Sequence, residues 1–311
     1  MRSLLKIFFF ILLFFTFSCK KKEQIDRALE ETLISGSMPI LVDNTVQPVV
    51  EDVLAVFHNQ YGDANITQIN KSENEIIQLL HKDSARVAVL SRKLSDDEEQ
   101  YFKEKNIVPR IHGFATDAVV FIAHESTTDT IINLKEVISF LKGEQSEKIK
   151  GLVFDNPGSG IFRYLTDISK SGKNIPASVY SLKTTEEVIK YVHNNTGNIG
   201  VVGLNWLLQP PPSLLEHMKD IKVLAVNDYR EDKEGTVYYK PTQSNIAEGL
   251  YPLTRKLYIL NYQGKNGLGT GFASYIEGRD GQRIILKSGL LPVKIPSREI
   301  SVRGSLEKNK E

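Results

Sequence analysis

Gly158-Ser159-Gly160 is the segment whose residue types point most directly to chemistry. It follows an apolar run, Leu152 to Phe154, and precedes residues at helical spacing. Small side chains let backbone N–H groups approach a ligand, and a helix N-terminus favours an anion there. Ser159 equally suits helix capping, so the two readings stand side by side. The segment is not Gly-x-Ser-x-Gly and offers no nucleophile elbow. It also lacks the lysine and Ser/Thr pair of a Walker loop. Gly267-Leu268-Gly269-Thr270-Gly271 imitates a phosphate loop without a third glycine at dinucleotide spacing, and a flexible turn is expected there. His58, His81, His112, His124, His193 and His217 match no metal-motif spacing, so no metal site is expected. With no nucleophile–base pair and no cofactor motif, an enzyme is not expected. The acidic run Asp96 to Glu99 reads as the first turn of a helix on a solvated face.

Those residues sit in a chain of 311 with 39 basic and 38 acidic side chains, a formal charge of +1. That balance excludes a nucleic-acid partner, which needs a net basic face. Hydrophobic residues at 41% and charged residues at 25% fit a globular protein, and the length suggests about two domains. Six of the 14 phenylalanines fall in the first 17 residues. There Arg2 and Lys6 precede an unbroken apolar run from Ile7 to Phe15. The run is too short for a membrane span of about 20 residues and suits a signal peptide. It ends at Thr16-Phe17-Ser18-Cys19, which resembles a bacterial lipoprotein signal, with Cys19 as the lipidation site. Cys19 is the single cysteine, so no disulfide forms within the chain. Loss of residues 1–18 would remove two of the 39 basic groups and none of the 38 acidic ones, leaving −1.

Strands and helices alternate from Pro39 onward. Pro39 to Val42 reads as a buried strand, Pro48 suits the first turn of a helix, and Ile66 to Ile69 reads as the next, parallel strand. Helices are expected at Glu75 to His81, Asp96 to Lys105, Leu134 to Leu141, from Gly160 through Leu165, Glu186 to His193, Phe272 to Ile276 and Gln282 to Lys287. Further strands are expected at Arg86 to Leu90, Ala118 to Ala123, Leu152 to Phe154, Asn198 to Val202, Lys222 to Val226 and Tyr251 to Tyr262. A short helix is expected around Ile25 to Leu33. Such alternation means an α/β fold, with ligands bound beyond the strand ends. Three polar strand-to-helix turns qualify: Asp43-Asn44-Thr45, Asn70-Lys71-Ser72, and Asn156 to Gly160.

Residues 38–293 resemble the PstS-like phosphate-binding proteins of bacterial ABC transporters. The resemblance is carried by Thr45-Val46-Gln47-Pro48, Val89-Leu90-Ser91-Arg92-Lys93-Leu94, Gly113 to Val120 with Asp117, Tyr251 to Tyr258, Asp280-Gly281-Gln282 and Gly289-Leu290-Leu291-Pro292. It implies a two-lobed periplasmic-binding-protein fold of type II, two hinged α/β domains around a ligand cleft. The implied organisation is a signal peptide at 1–18, a lipid-anchored tether at 19–37, lobe one at 38–117 plus 224–298, lobe two at 118–223 and a tail at 299–311. The implied ligand residues are Asn44, Thr45, Ser72, Ser91, Arg92, Ser159 and Gly160, with Arg163 one helical turn beyond Ser159 as a further guanidinium. The implied ligand is phosphate or another small anion. The implied partners are the membrane, through the lipid at Cys19, and an ABC permease or another envelope complex. The chain would then be a monomeric, periplasm-facing lipoprotein of the bacterial envelope. Asp155 stands where the family has arginine and Ile161 where it has threonine, and Ser72-Glu73-Asn74-Glu75 replaces a glycine-rich turn. These departures favour, as the alternative, a binding-protein fold turned to another small ligand or to an interaction or sensory role.

Overall fold

The computed structural model describes residues 31–172, 176–228 and 235–296. The expected signal peptide, Cys19, residues 25–30 of the expected helix at 25–33 and the tail at 299–311 lie outside them, and residues 31–33 are not helical. Strand β1 (Gly36–Asp43) leads through a 3-10 turn into helix α1 (Gln47–Gln60), and β2 (Ala64–Lys71) follows. Pro48 lies in the first turn of α1, where a missing N–H costs nothing. Helix α2 (Glu73–His81), β3 (Val87–Leu90) and α3 (Asp96–Glu104) complete this half. β1 pairs in parallel with both β2 and β3. Its period-2 alternation feeds two layers. Ile40 and Val42 join Val49, Val53 and Phe57 of α1 on one face, while Leu41 joins Ile76 and Leu80 of α2 on the other.

β4 (Arg110–His124) is far longer than the expected Ala118 to Ala123. Up to Ala118 it pairs antiparallel with β12 (Thr254–Asn261); from Val119 it pairs with β8 (Ile199–Gly203). One strand therefore belongs to both halves of the sheet. The order runs β2-β1-β3-β12-β4-β8-β6-β7, with β6 at Leu152–Phe154 and β7 at Val179–Ser181. Helices α4 (Leu134–Leu141), α5 (Gly160–Ser169) and α6 (Thr185–Asn194) cover the second half. Asn133, Ser159 and Thr184 cap them through side-chain oxygens.

The expected strand Lys222 to Val226 divides at buried Leu224. β9 (Ile221–Val223) pairs with β4, while β10 (Ala225–Asn227) turns to β5 (Ile131–Ile132) and β11 (Tyr238–Tyr239). Helix α7 (Asn205–Leu208) follows β8 directly, and α8 (Gln243–Ala247) precedes β12. Helices α9 (Leu268–Glu277) and α10 (Arg279–Lys287) and strand β13 (Leu291–Pro292) close the described chain. The expected flexible turn at Gly267 to Gly271 is instead the packed start of α9. A Cβ on Gly271 would meet the Leu33 carbonyl oxygen at 1.7 Å, so close approach to the N-terminal segment explains that glycine.

Candidate functional site

Three strand-to-helix turns meet at the seam between the halves, as the fold class requires. In the first, the Asp43 side chain accepts from the Thr45 N–H at 3.0 Å and turns the chain into α1. In the second, Ser72 and Glu75 form a capping box at the start of α2, with the Ser72 hydroxyl donating to Glu75 at 2.7 Å. In the third, Ser159 accepts from the Phe162 N–H and donates to Asp155 at 2.7 Å. Its capping reading is realised, and its hydroxyl proton goes to a carboxylate. The seam is closed: the Asn74 N–H donates to the Gly158 carbonyl at 3.1 Å.

Two guanidinium–carboxylate centres lie at this seam, and the outer one crosses it. The inner one pairs Arg255 of β12 with Asp117 of β4, directly opposite in the ladder, at 2.7 Å. Arg255 also donates to the Thr45 hydroxyl at 2.9 Å. Asn205 of α7 donates to the Thr45 carbonyl at 2.8 Å. Nearby, Trp206 donates to the Asn44 carbonyl at 3.0 Å. Thr45 is thus engaged in structure, and Asn44 meets the second half through its backbone.

The outer centre is built on Glu73, at the first position of α2. Glu73 Oε1 accepts from Arg92 Nε at 2.8 Å and from Arg163 Nε at 2.6 Å. Arg92 follows β3 and Arg163 lies on α5, so the two cations come from opposite halves. The Glu73 side chain is fully buried, while Arg92 and Arg163 keep 20% and 30% of theirs exposed. Arg92 spends its fork on Glu98, at 2.6 and 2.8 Å, and holds that carboxyl down at about 2. The acidic run is therefore not simply a solvated face, because Glu98 is an ion-pair partner. Arg163 also donates to Asp167 at 2.7 Å.

Between the centres lies Gly160. A Cβ there would meet Asp43 Oδ2 at 2.6 Å, Ser91 Oγ at 2.8 Å and Glu73 Oε2 at 3.0 Å. Asp43 Oδ2 and Ser91 Oγ are buried and have no hydrogen-bond partner. Burial pushes the Asp43 carboxyl up to about 7; Arg255 opposes the shift, and Glu73 and Asp155 add to it. Burial also raises Asp155. Gly160 and Ile161 supply two of the first N–H groups that a helix leaves without intrahelical partners. A cavity of about 560 Å³ flanks the seam, lined by Asn74, Pro157, Gly158, Phe162, Arg163 and Thr166 among others. The structure thus brings Ser91, Arg92, Gly160 and Arg163 together, leaves Ser72 and Ser159 as caps, and adds Asp43 and Glu73. Glu73 was masked by expecting α2 to begin at Glu75, which placed Glu73 in a loop.

The PBP superfamily domain matches residues 30–279. The chain belongs to that superfamily. Within it the chain is PstS-like. It is 20% identical over 308 residues to the phosphate-binding protein PstS of Pseudomonas aeruginosa, covering 90% of this chain and 91% of that one. The fold matches a Clostridium perfringens protein described as a phosphate ABC transporter substrate-binding protein with bound phosphate. That likeness has a TM-score of 0.68 at 18% identity, over 83% of this chain and all of that one. An ABC-type phosphate transport receptor from Vibrio cholerae matches at a TM-score of 0.59 and 18% identity, with the same coverage. This PstS-like chain has the two-lobed type II architecture, with β4 as a shared strand.

Proposed function

We propose that the chain is a lipid-anchored extracytoplasmic solute-binding protein that captures phosphate or a related oxyanion for an ABC transporter. The lobes would be 38–117 with 224–298, and 118–223. The observation that carries the reading is the convergence of Arg92 and Arg163, one from each half, on a single carboxylate oxygen. Guanidiniums suit planar, charge-assisted recognition of oxyanions, and cations from both lobes let an anion draw the lobes together. The apolar run before the lone Cys19 supports anchoring at the outer face of a membrane.

The carboxylates narrow the ligand. Asp43 Oδ2 is buried without a donor, so a ligand that brings a proton fits and a fully ionised one opposes it. Hydrogen phosphate and hydrogen arsenate bring one; sulfate does not. Calorimetric titration of the mature chain at pH 8 is expected to give phosphate and arsenate binding and no sulfate binding. Sulfate should begin to bind as pH falls below about 7, where Asp43 takes up its own proton. Silence with all three anions at both pH values would end the proposal.

A further inference from the structure

Glu73 is the carboxylate on which guanidiniums of both halves converge. It is fully buried, two guanidiniums from opposite halves grip one of its oxygens, and the other lies 3.0 Å from the position of a Cβ on Gly160. An acid at the first position of a helix is ordinarily a solvated partner of the helix dipole. That accounts for neither the burial of Glu73 nor its grip by residues of two other elements.

We infer that Glu73 is a tethered anion: it fills the oxyanion position, draws the lobes together itself, and must be displaced by any solute. The inference rests on the oxyanion reading above and assigns the residue that sets the affinity and closure of that site. The Ser72–Glu75 capping box fixes the backbone on either side of Glu73, so displacement is a side-chain movement. Arg163 lines the flanking cavity and keeps 30% of its side chain exposed, so an incoming anion meets it first. A competitor attached to the chain acts at a high effective concentration, so it weakens every solute by a constant factor.

The test uses the mature chain and its Glu73→Ala variant in buffer free of phosphate and sulfate. Hydrogen exchange at the Asn74 amide and the emission of Trp206, the single tryptophan, report closure at two places on the seam. Wild type is expected to be closed, and Glu73→Ala to be open, with about tenfold faster Asn74 exchange and altered Trp206 emission. Titration with inorganic phosphate is expected to give about tenfold tighter apparent binding to Glu73→Ala than to wild type. An open wild type, a variant that stays closed, or a variant that binds phosphate equally or more weakly would each overturn the inference. If neither protein binds phosphate, the oxyanion reading falls, and the two closure signals still decide the role of Glu73. Should Glu73→Ala fail to fold, Glu73→Gln keeps the shape without the charge and is held to the same outcomes.

Discussion

The two guanidinium–carboxylate centres use the same chemistry for different ends. Arg255 and Asp117 face each other across adjacent strands and are 1% and 0% exposed. Their geometry is set by the β4–β12 ladder and is the same whatever the lobes do. Glu73 is equally buried, but its partners reach it from the segment after β3 and from α5 and remain partly in water. On the proposed function, lobe movement would change the second centre and spare the first. A buried ion pair within one sheet fixes architecture; one shared between movable bodies can report on ligand.

The sharpest way to break the comparison is Arg255→Met. It leaves Asp117 buried without its cation and should cost about 3–5 kcal/mol in urea unfolding. Adding Asp117→Leu should recover most of that loss, because the burial penalty goes with the charge.

A second test concerns Asp43, which lies between the centres. The native carboxyl titrates near 7 against an ordinary 3.8. The native state therefore holds a proton that the unfolded chain gives up between those values. Stability is lost as pH rises from about 4 to about 7, by up to roughly 4 kcal/mol at about 1.4 per pH unit. Asp43→Asn should flatten that slope and be more stable than wild type at pH 8. An identical slope in the two proteins, measured by urea unfolding, would remove Asp43 from the account.

Arg163→Met should separate the centres. It removes one of two cations from Glu73 while Arg92 remains, at a stability cost of about 1–2 kcal/mol, less than Arg255→Met because the side chain is partly solvated. Loss equal to that of Arg255→Met would mean that the outer centre is as structural as the inner. Ser159→Ala should have the smallest effect, about 1 kcal/mol of stability through the lost cap, with phosphate affinity changed little. A tenfold loss of affinity in that variant would return Ser159 to the ligand.

The sequence made the α/β alternation legible, and Leu134 to Leu141 and Leu152 to Phe154 match their elements residue for residue. Residues 110–117 were not read as strand because Gly113, Thr116 and Asp117 interrupt the apolar run. Arg255 and Asp117 entered only as parts of motifs, since strand register is invisible to spacing. The seam residues Asn44, Thr45 and Gly160 lie in the expected turns and Arg163 in the expected helix, while Ser91 and Arg92 entered only through the family resemblance. Their engagements could not be read, because Glu73 is 90 residues from Arg163 in the chain. Capping by Ser159 was the more local inference and the one that geometry realised, and Ser72 proved to be a cap as well.

β4 also gives the molecule a mechanical grain. It shares eight residue pairs with β12 and four with β8. A pull directed along it loads both ladders in shear, and the shorter should yield first. Stretched from its ends in an optical trap, the chain should therefore shed the β8 side as an early step while the β12 side holds. The strand that the halves share would also set the order in which they fail.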